Sequence, residues 1–215
     1  MSPRLLRSSR SVPAALASVS LAVLLTAVPG ALAQQPAPHA PSAAVTSIQA
    51  ATLSIPAIGL SGLPVVPYQG SPDDAPGTAI QDRGLAASPY GPGGGVGPGD
   101  IGNYIVTGHR VAGGGPLNAL PSLPQGASVF VTAGGVTYEY VIGTTRTTSF
   151  RSPSSMAEQR AAVPGSSGTS PSRAMITVST CLTPEDDAAG NTWRDAQNNP
   201  EHRIDKVGVL VGTSS

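Results

Sequence analysis

Met175-Ile176-Thr177-Val178-Ser179-Thr180-Cys181, residues 175–181, reads as one β-strand. Its β-branched residues favour a pleated backbone, and its side chains alternate with a period of two. Ile176 and Val178 fall on one face; Thr177, Ser179 and Cys181 fall on the other. The strand therefore ends on the only cysteine of the chain, carried on its less apolar side. Upstream, Asn103–Thr107 forms a second strand that closes on Thr107-Gly108-His109-Arg110. A histidine just past a strand end is well placed to reach a pocket.

Outward from these two stretches the chain has a β-rich composition. Its 215 residues include 26 glycines and 22 prolines, with 11% charged and 4% aromatic residues. Many turns and short strands suit this better than a helical bundle. Formal net charge is zero, which argues against a nucleic-acid partner. Charge is unevenly placed: after Arg4, Arg7 and Arg10, no Asp, Glu, Lys or Arg occurs until Asp73. The basic start, the apolar run 11–28 and Ala31-Leu32-Ala33 have the layout of a signal peptide over 1–33, either cleaved or kept as an N-terminal membrane anchor. Residues 34–51, rich in Ala, Pro, Ser and Gln, read as a spacer, and 52–215 as the folded domain. An extracytoplasmic location, membrane-anchored at the cell surface or secreted, follows from that layout.

Within the domain, strands are expected at Thr52–Ile58, Leu63–Val66, Asn103–Thr107, Ser128–Thr132, Thr137–Ile142, Thr144–Phe150, Ala174–Thr180 and Lys206–Val211. Gly134-Gly135 marks a hairpin. A short helix is expected after Ser152-Pro153, and Leu117–Leu120 has room for one helical turn. Residues 88–99 read as a glycine-rich flexible loop; without a Lys-Ser/Thr ending or a following helix, they do not form a phosphate site. About eight strands in one domain imply an all-β fold, a closed barrel or a sandwich.

The chemistry centres on Cys181. A single cysteine makes no internal disulfide, so it is either a small buried apolar residue or a reactive thiol. Attack by sulfur needs thiolate, which neighbouring cations favour; His109, Arg110, Arg194 and Arg203 are the candidates. His39 lies in the spacer, and His202 lies late in the chain beside Glu201 and Arg203. No metal-ligand spacing is present, and Glu185-Asp186-Asp187 reads as a solvated acidic turn rather than a calcium loop.

Thr177-Val178-Ser179-Thr180-Cys181 resembles the Thr-Leu-x-Thr-Cys signature of sortases, and Thr107-Gly108-His109-Arg110 resembles the histidine motif of the class E type found in actinobacteria. Ile55-Pro56, Gly102–Val106, Pro116–Gly126 and Gly135–Tyr140 also resemble family stretches, so the likeness spans about 52–213. It implies a closed eight-stranded sortase-type β-barrel with short helices. It also implies Cys181 as nucleophile, His109 as general acid/base and Arg203, on the strand after the cysteine loop, as the arginine that steadies the oxyanion. Thr180, Arg110 and Arg194 are implied as substrate-binding residues, with Arg194 a rival for the arginine role. Val178 replaces the usual leucine, the 184–200 loop is longer than is common, and Asp205 and Lys206 put charge into the last strand.

The reaction implied is transpeptidation without a cofactor. An LPxTG- or LAxTG-like sorting signal at the C-terminus of a surface protein is cut between Thr and Gly through a thioacyl-enzyme. The acyl group then passes to an amine of a cell-wall precursor or another protein. Two alternatives remain. Other cell-wall cysteine enzymes fit less well, because Ser-x-Gly does not precede Cys181 and the cysteine follows the histidine in the chain. A non-catalytic binding module on a degenerate sortase fold is the other.

Overall fold

A computed structural model describes residues 48–215. The proposed leader 1–33 and nearly all of the spacer lie outside the described residues; Ile48–Ala50 are irregular, and the first strand opens at Ala51. Eight strands close into a barrel: β1 (Ala51–Ile55), β2 (Leu60–Gln69), β3 (Ala86–Tyr90), β4 (Gly102–Thr107), β5 (Ser128–Ala133), β6 (Val136–Ser149), β7 (Ala174–Cys181) and β8 (His202–Ser214). The order around the barrel is β1-β2-β3-β4-β7-β8-β6-β5, and β5 pairs back onto β1. Three short helices decorate it: α1 (Ala75–Gln81), α2 (Pro153–Arg160) and α3 (Thr183–Ala188). Among the described residues no helix is long and apolar enough to cross a membrane.

Alternation builds the core. Leu53, Ile55, Val65, Tyr104, Val106, Val129, Val131, Tyr140, Ile142, Ile176 and Val178 form one buried apolar cluster. The opposite face of β4 and β7 is polar but not wet. Thr177 donates to Asn103 (2.8 Å), and Asn103 donates to the carbonyl oxygens of Gln159 and Ala161 at the end of α2. Gln159 donates in turn to Ser179 and Asp205. Thus α2 covers this face through hydrogen bonds rather than greasy packing, as buried polar groups require.

The count of eight strands agrees with the expectation, but two differences offset each other. Thr137–Ile142 and Thr144–Phe150 are one strand, β6, whose pairing with β8 shifts register between Ile142 and Thr144. The intervening Gly143 is where a bulge reads, in sequence, as a strand end. Conversely, β3 falls partly within the expected loop 88–99, because Pro89 hides it; Val65–Gln69 of β2 pair with it in parallel. The first strand stops at Ile55, since Pro56 starts a 3-10 turn that Gly59 closes at φ 71°. The expected helix on Pro153 is present, with Ser152 capping the Ser155 amide. Neither α1 nor α3 was anticipated from sequence.

The charges of the last strand have specific partners. Lys206 donates to the carbonyl oxygens of Pro121 and Leu123 and to Thr145. Asp205 accepts from Thr148 (2.6 Å) and Gln159 (2.9 Å). Burial raises the Asp205 pKa, and hydrogen bonds from Ser179, Thr148 and Gln159 pull against that rise.

Candidate active site

β4 and β7 run parallel, Gly102 to Thr107 against Ala174 to Ser179. The two motifs beyond these pairs, Gly108-His109 and Thr180-Cys181, therefore leave the barrel side by side. Two bonds lock them together: Gly108 N donates to Ser179 O (3.2 Å), and Thr180 Oγ1 donates to Gly108 O (2.7 Å). A Cβ at 108 would lie 2.8 Å from Leu117 Cδ1 and 3.1 Å from its Cγ, so a larger residue there would have to push this buried leucine aside. Thr180 is 3% exposed, and its hydroxyl is committed to this lock.

A cavity of about 470 Å³ opens at this edge, lined by Asp82, His109, Arg110, Cys181, Arg194 and Asn199 among others. His109 Nε2 pairs with Asp82 Oδ1 at 2.8 Å, which orients the ring from the end of α1. Arg110 donates to Glu185 (3.0 Å) and Arg194 to Asp187 (2.5 Å), so α3 is strapped down on two sides. His202 completes the attachment: its backbone N donates to Asp186 Oδ2, and its Nδ1 lies 2.7 Å from Asp186 Oδ1. Glu185, Asp186 and Asp187 are thus each matched to a separate cation or imidazole.

Arg203 does not line the cavity, but it stands in register with Cys181 across β7 and β8. Its side chain is 2% exposed. Nε donates to Asp73 and Nη2 to Asp195 (3.0 Å), while Nη1 is buried without a partner. Burial opposes its charge; Asp73 foremost, with Asp195 and with Cys181 once ionised, holds its pKa above the ordinary arginine value. Cys181 is 7% exposed. Burial pushes its thiol pKa up to about 12, Asp73 adds to the rise, and Arg203 opposes it. The resting sulfur is therefore a protonated thiol at neutral pH.

Four residues of this site escaped sequence reading. Asp73 adopts φ 59°, a left-handed conformation that Asp tolerates better than most residues. Its only local signal is the turn-forming Ser71-Pro72-Asp73-Asp74, ahead of a helix capped by Asp74. Asp82 was visible only if α1 had been placed. Asp195 and Asn199 lie in the 184–200 loop, where nothing local distinguishes them from solvated residues.

A family model described as Sortase domain matches residues 53–196. Among solved structures, a sortase from Actinomyces oris is similar with TM-score 0.57 and 16% identity over 77% of this chain and 81% of that one. Sortase E from Streptomyces avermitilis is similar with TM-score 0.56 and 24% identity, covering 78% and 91%. A sortase E structure from Streptomyces coelicolor, with a tripeptide in its active site, is similar with TM-score 0.56 and 22% identity, covering 78% and 90%. No curated protein matches the chain at the level of sequence.

Proposed function

The chain belongs to the sortase family, and on that premise we propose that it is a cysteine transpeptidase working through Cys181, His109 and Arg203. One observation carries the reading: a single cavity is lined by both the thiol and the imidazole, and Arg203 stands in register with the cysteine.

The substrate is the Thr–Gly bond of an LPxTG- or LAxTG-like signal at the C-terminus of a surface protein. The thiol is protonated at rest, so His109 takes its proton as the sulfur–carbon bond forms. The carbonyl oxygen becomes an oxyanion, for which the unpartnered Nη1 of Arg203 is a donor in waiting. Collapse expels the glycine amine, which receives the proton from His109 and leaves a thioester on Cys181. An acceptor amine, of a cell-wall precursor or of another protein, gives its proton to His109 and displaces the sulfur, which recovers that proton from His109 as the resting thiol. Arg110 and Arg194, at the cavity wall, contact the peptide. The work is extracytoplasmic, with 1–33 as leader or anchor.

Cleavage of a fluorogenic sorting peptide tests this. Cys181→Ala should abolish turnover, and Arg203→Ala should lower kcat by about 10²–10³-fold. Arg194→Ala should act mainly on KM. Equal cleavage by wild type and Cys181→Ala would overturn the reading. The clamp of two carboxylates on Arg203 favours a second reading, a module that binds the peptide without cutting it. Saturable binding with no product from the wild type would select it.

A further inference from the structure

The long 184–200 loop does more than lengthen the connection to β8. Its end is a tight hairpin: Arg194 bridges Pro200, Asp195 N donates to Asn199 O (3.0 Å), and Asn198 N donates to Asp195 O (3.0 Å). Asn198 takes the left-handed turn position at φ 62°. Inside it, both Asp195 carboxylate oxygens are used. Oδ1 accepts from the backbone N of Gln197 and of Asn199. Oδ2 accepts from Asn199 Nδ2 (3.2 Å) and from Arg203 Nη2 (3.0 Å). That last pair settles which way the Asn199 amide faces. Its NH2 must point at the carboxylate, so its oxygen points the other way. There it meets the Cys181 sulfur, with Sγ as donor at 3.9 Å from Oδ1. Asn199 is 6% exposed and lines the same cavity as Cys181.

We propose that Asn199 is a positioning residue for the nucleophile: anchored on Asp195, its side-chain oxygen holds the Cys181 S–H and fixes the sulfur at the cavity wall until a substrate takes its place. Arg203, Asp195, Asn199 and Cys181 form one continuous chain of contacts. The loop is thereby a built-in resting partner for the thiol and joins it to the arginine. An acceptor that holds S–H favours the neutral form, which resists alkylation and oxidation. A peptide carbonyl entering the cavity must displace this contact, which makes release of the sulfur part of substrate binding. The role rests on Cys181 being the nucleophile, but its test needs no turnover.

The charged groups acting on the sulfur are left unsubstituted in that test: Asp73 beside α1, Asp186 on α3, Asp195 in the loop and Arg203 on β8, as is the His109 imidazole across the cavity. The full chain is treated with iodoacetamide at pH 8, and the single thiol is followed. Asn199→Leu keeps bulk and removes the acceptor; alkylation should speed up about threefold or more. Asn199→Asp keeps an acceptor and adds negative charge; alkylation should slow by a similar factor. Opposite signs are the signature, because a loop that merely covers the thiol would loosen and accelerate the reaction in both variants. Acceleration in both, or no change in either, overturns the proposal. A measurement on the unaltered protein guards against misfolded variants. With one cysteine in the chain, the Raman S–H band comes from Cys181 alone. It should lie at the lower frequency of a hydrogen-bonded thiol; a band at the free-thiol position overturns the assignment. If these results hold while sorting peptides stay uncut, the positioning stands and the transpeptidase reading fails.

Discussion

Cys181 sits between a cation and three carboxylates, and the balance among them sets its chemistry. After burial, Asp73 contributes most to the raised thiol pKa, and it also pairs with Arg203. Asp73→Asn removes that charge while keeping a residue that accepts φ 59°. The thiol pKa should fall, and alkylation at fixed pH should rise about 3- to 10-fold. Stability should drop by about 1–3 kcal/mol, because the buried Arg203 keeps only Asp195. Iodoacetamide kinetics and a thermal melt check both; an unchanged rate would show that the thiol does not feel Asp73. At this scale the two candidate residues that share the cavity were legible because Cys181 and His109 close strands whose alternation is plain in sequence. Their carboxylate partners were not: Asp73 and Asp195 reach Arg203 from turns, and no periodicity announces a contact 130 residues apart.

Among the elements, α3 matters beyond its six residues. It occupies Arg110 and Arg194, the two arginines at the cavity wall, through Glu185 and Asp187, which are half-exposed. Ion pairs so open to water are worth little to stability, at most about 1 kcal/mol each. Their effect should instead be on the charge offered to a ligand. In Glu185→Gln/Asp187→Asn, the ratio of iodoacetate to iodoacetamide reactivity at Cys181 should rise about threefold in low salt and return towards wild type in high salt. A ratio unmoved by the double substitution would show that the pairs do not mask the arginines. Elements were read well where alternation was strong, as in β4 and β7, and poorly where Pro and Gly dominate. Pro89 hid β3 and Gly143 split β6, because both residues are stronger signals of turns than of pleated backbone. The seven-residue α1 contains Pro76 and Gly77, so its only readable sign was the Asp74 cap.

For the whole molecule, folding keeps several ionisable groups neutral. Cys181 is raised from 9.0 to about 12, and Tyr140 from 10.0 to about 12, both first by burial. Burial raises Tyr68 and Tyr104 as well. A pKa higher in the folded than in the unfolded chain stabilises the fold below the unfolded value and loses that contribution as pH rises through the folded one. Stability should therefore hold up to about pH 9 and decline steeply from there towards pH 12. Cys181→Ala should flatten the early part of the decline, seen as a smaller fall in Tm between pH 8 and 10; identical slopes would contradict the raised thiol. The all-β class followed from the spacing of strands and the closed barrel from the family resemblance, whereas the parallel joining of β4 to β7 is a property of closure that no single stretch encodes. That joining makes the site depend on long-range pairing. His109 and Cys181 become neighbours only once strands far apart in sequence have paired, and Arg203 arrives only when β8 zips between β6 and β7. If the proposed transpeptidase activity is followed during refolding, it should appear only with the complete barrel, because all three proposed residues depend on long-range strand pairing.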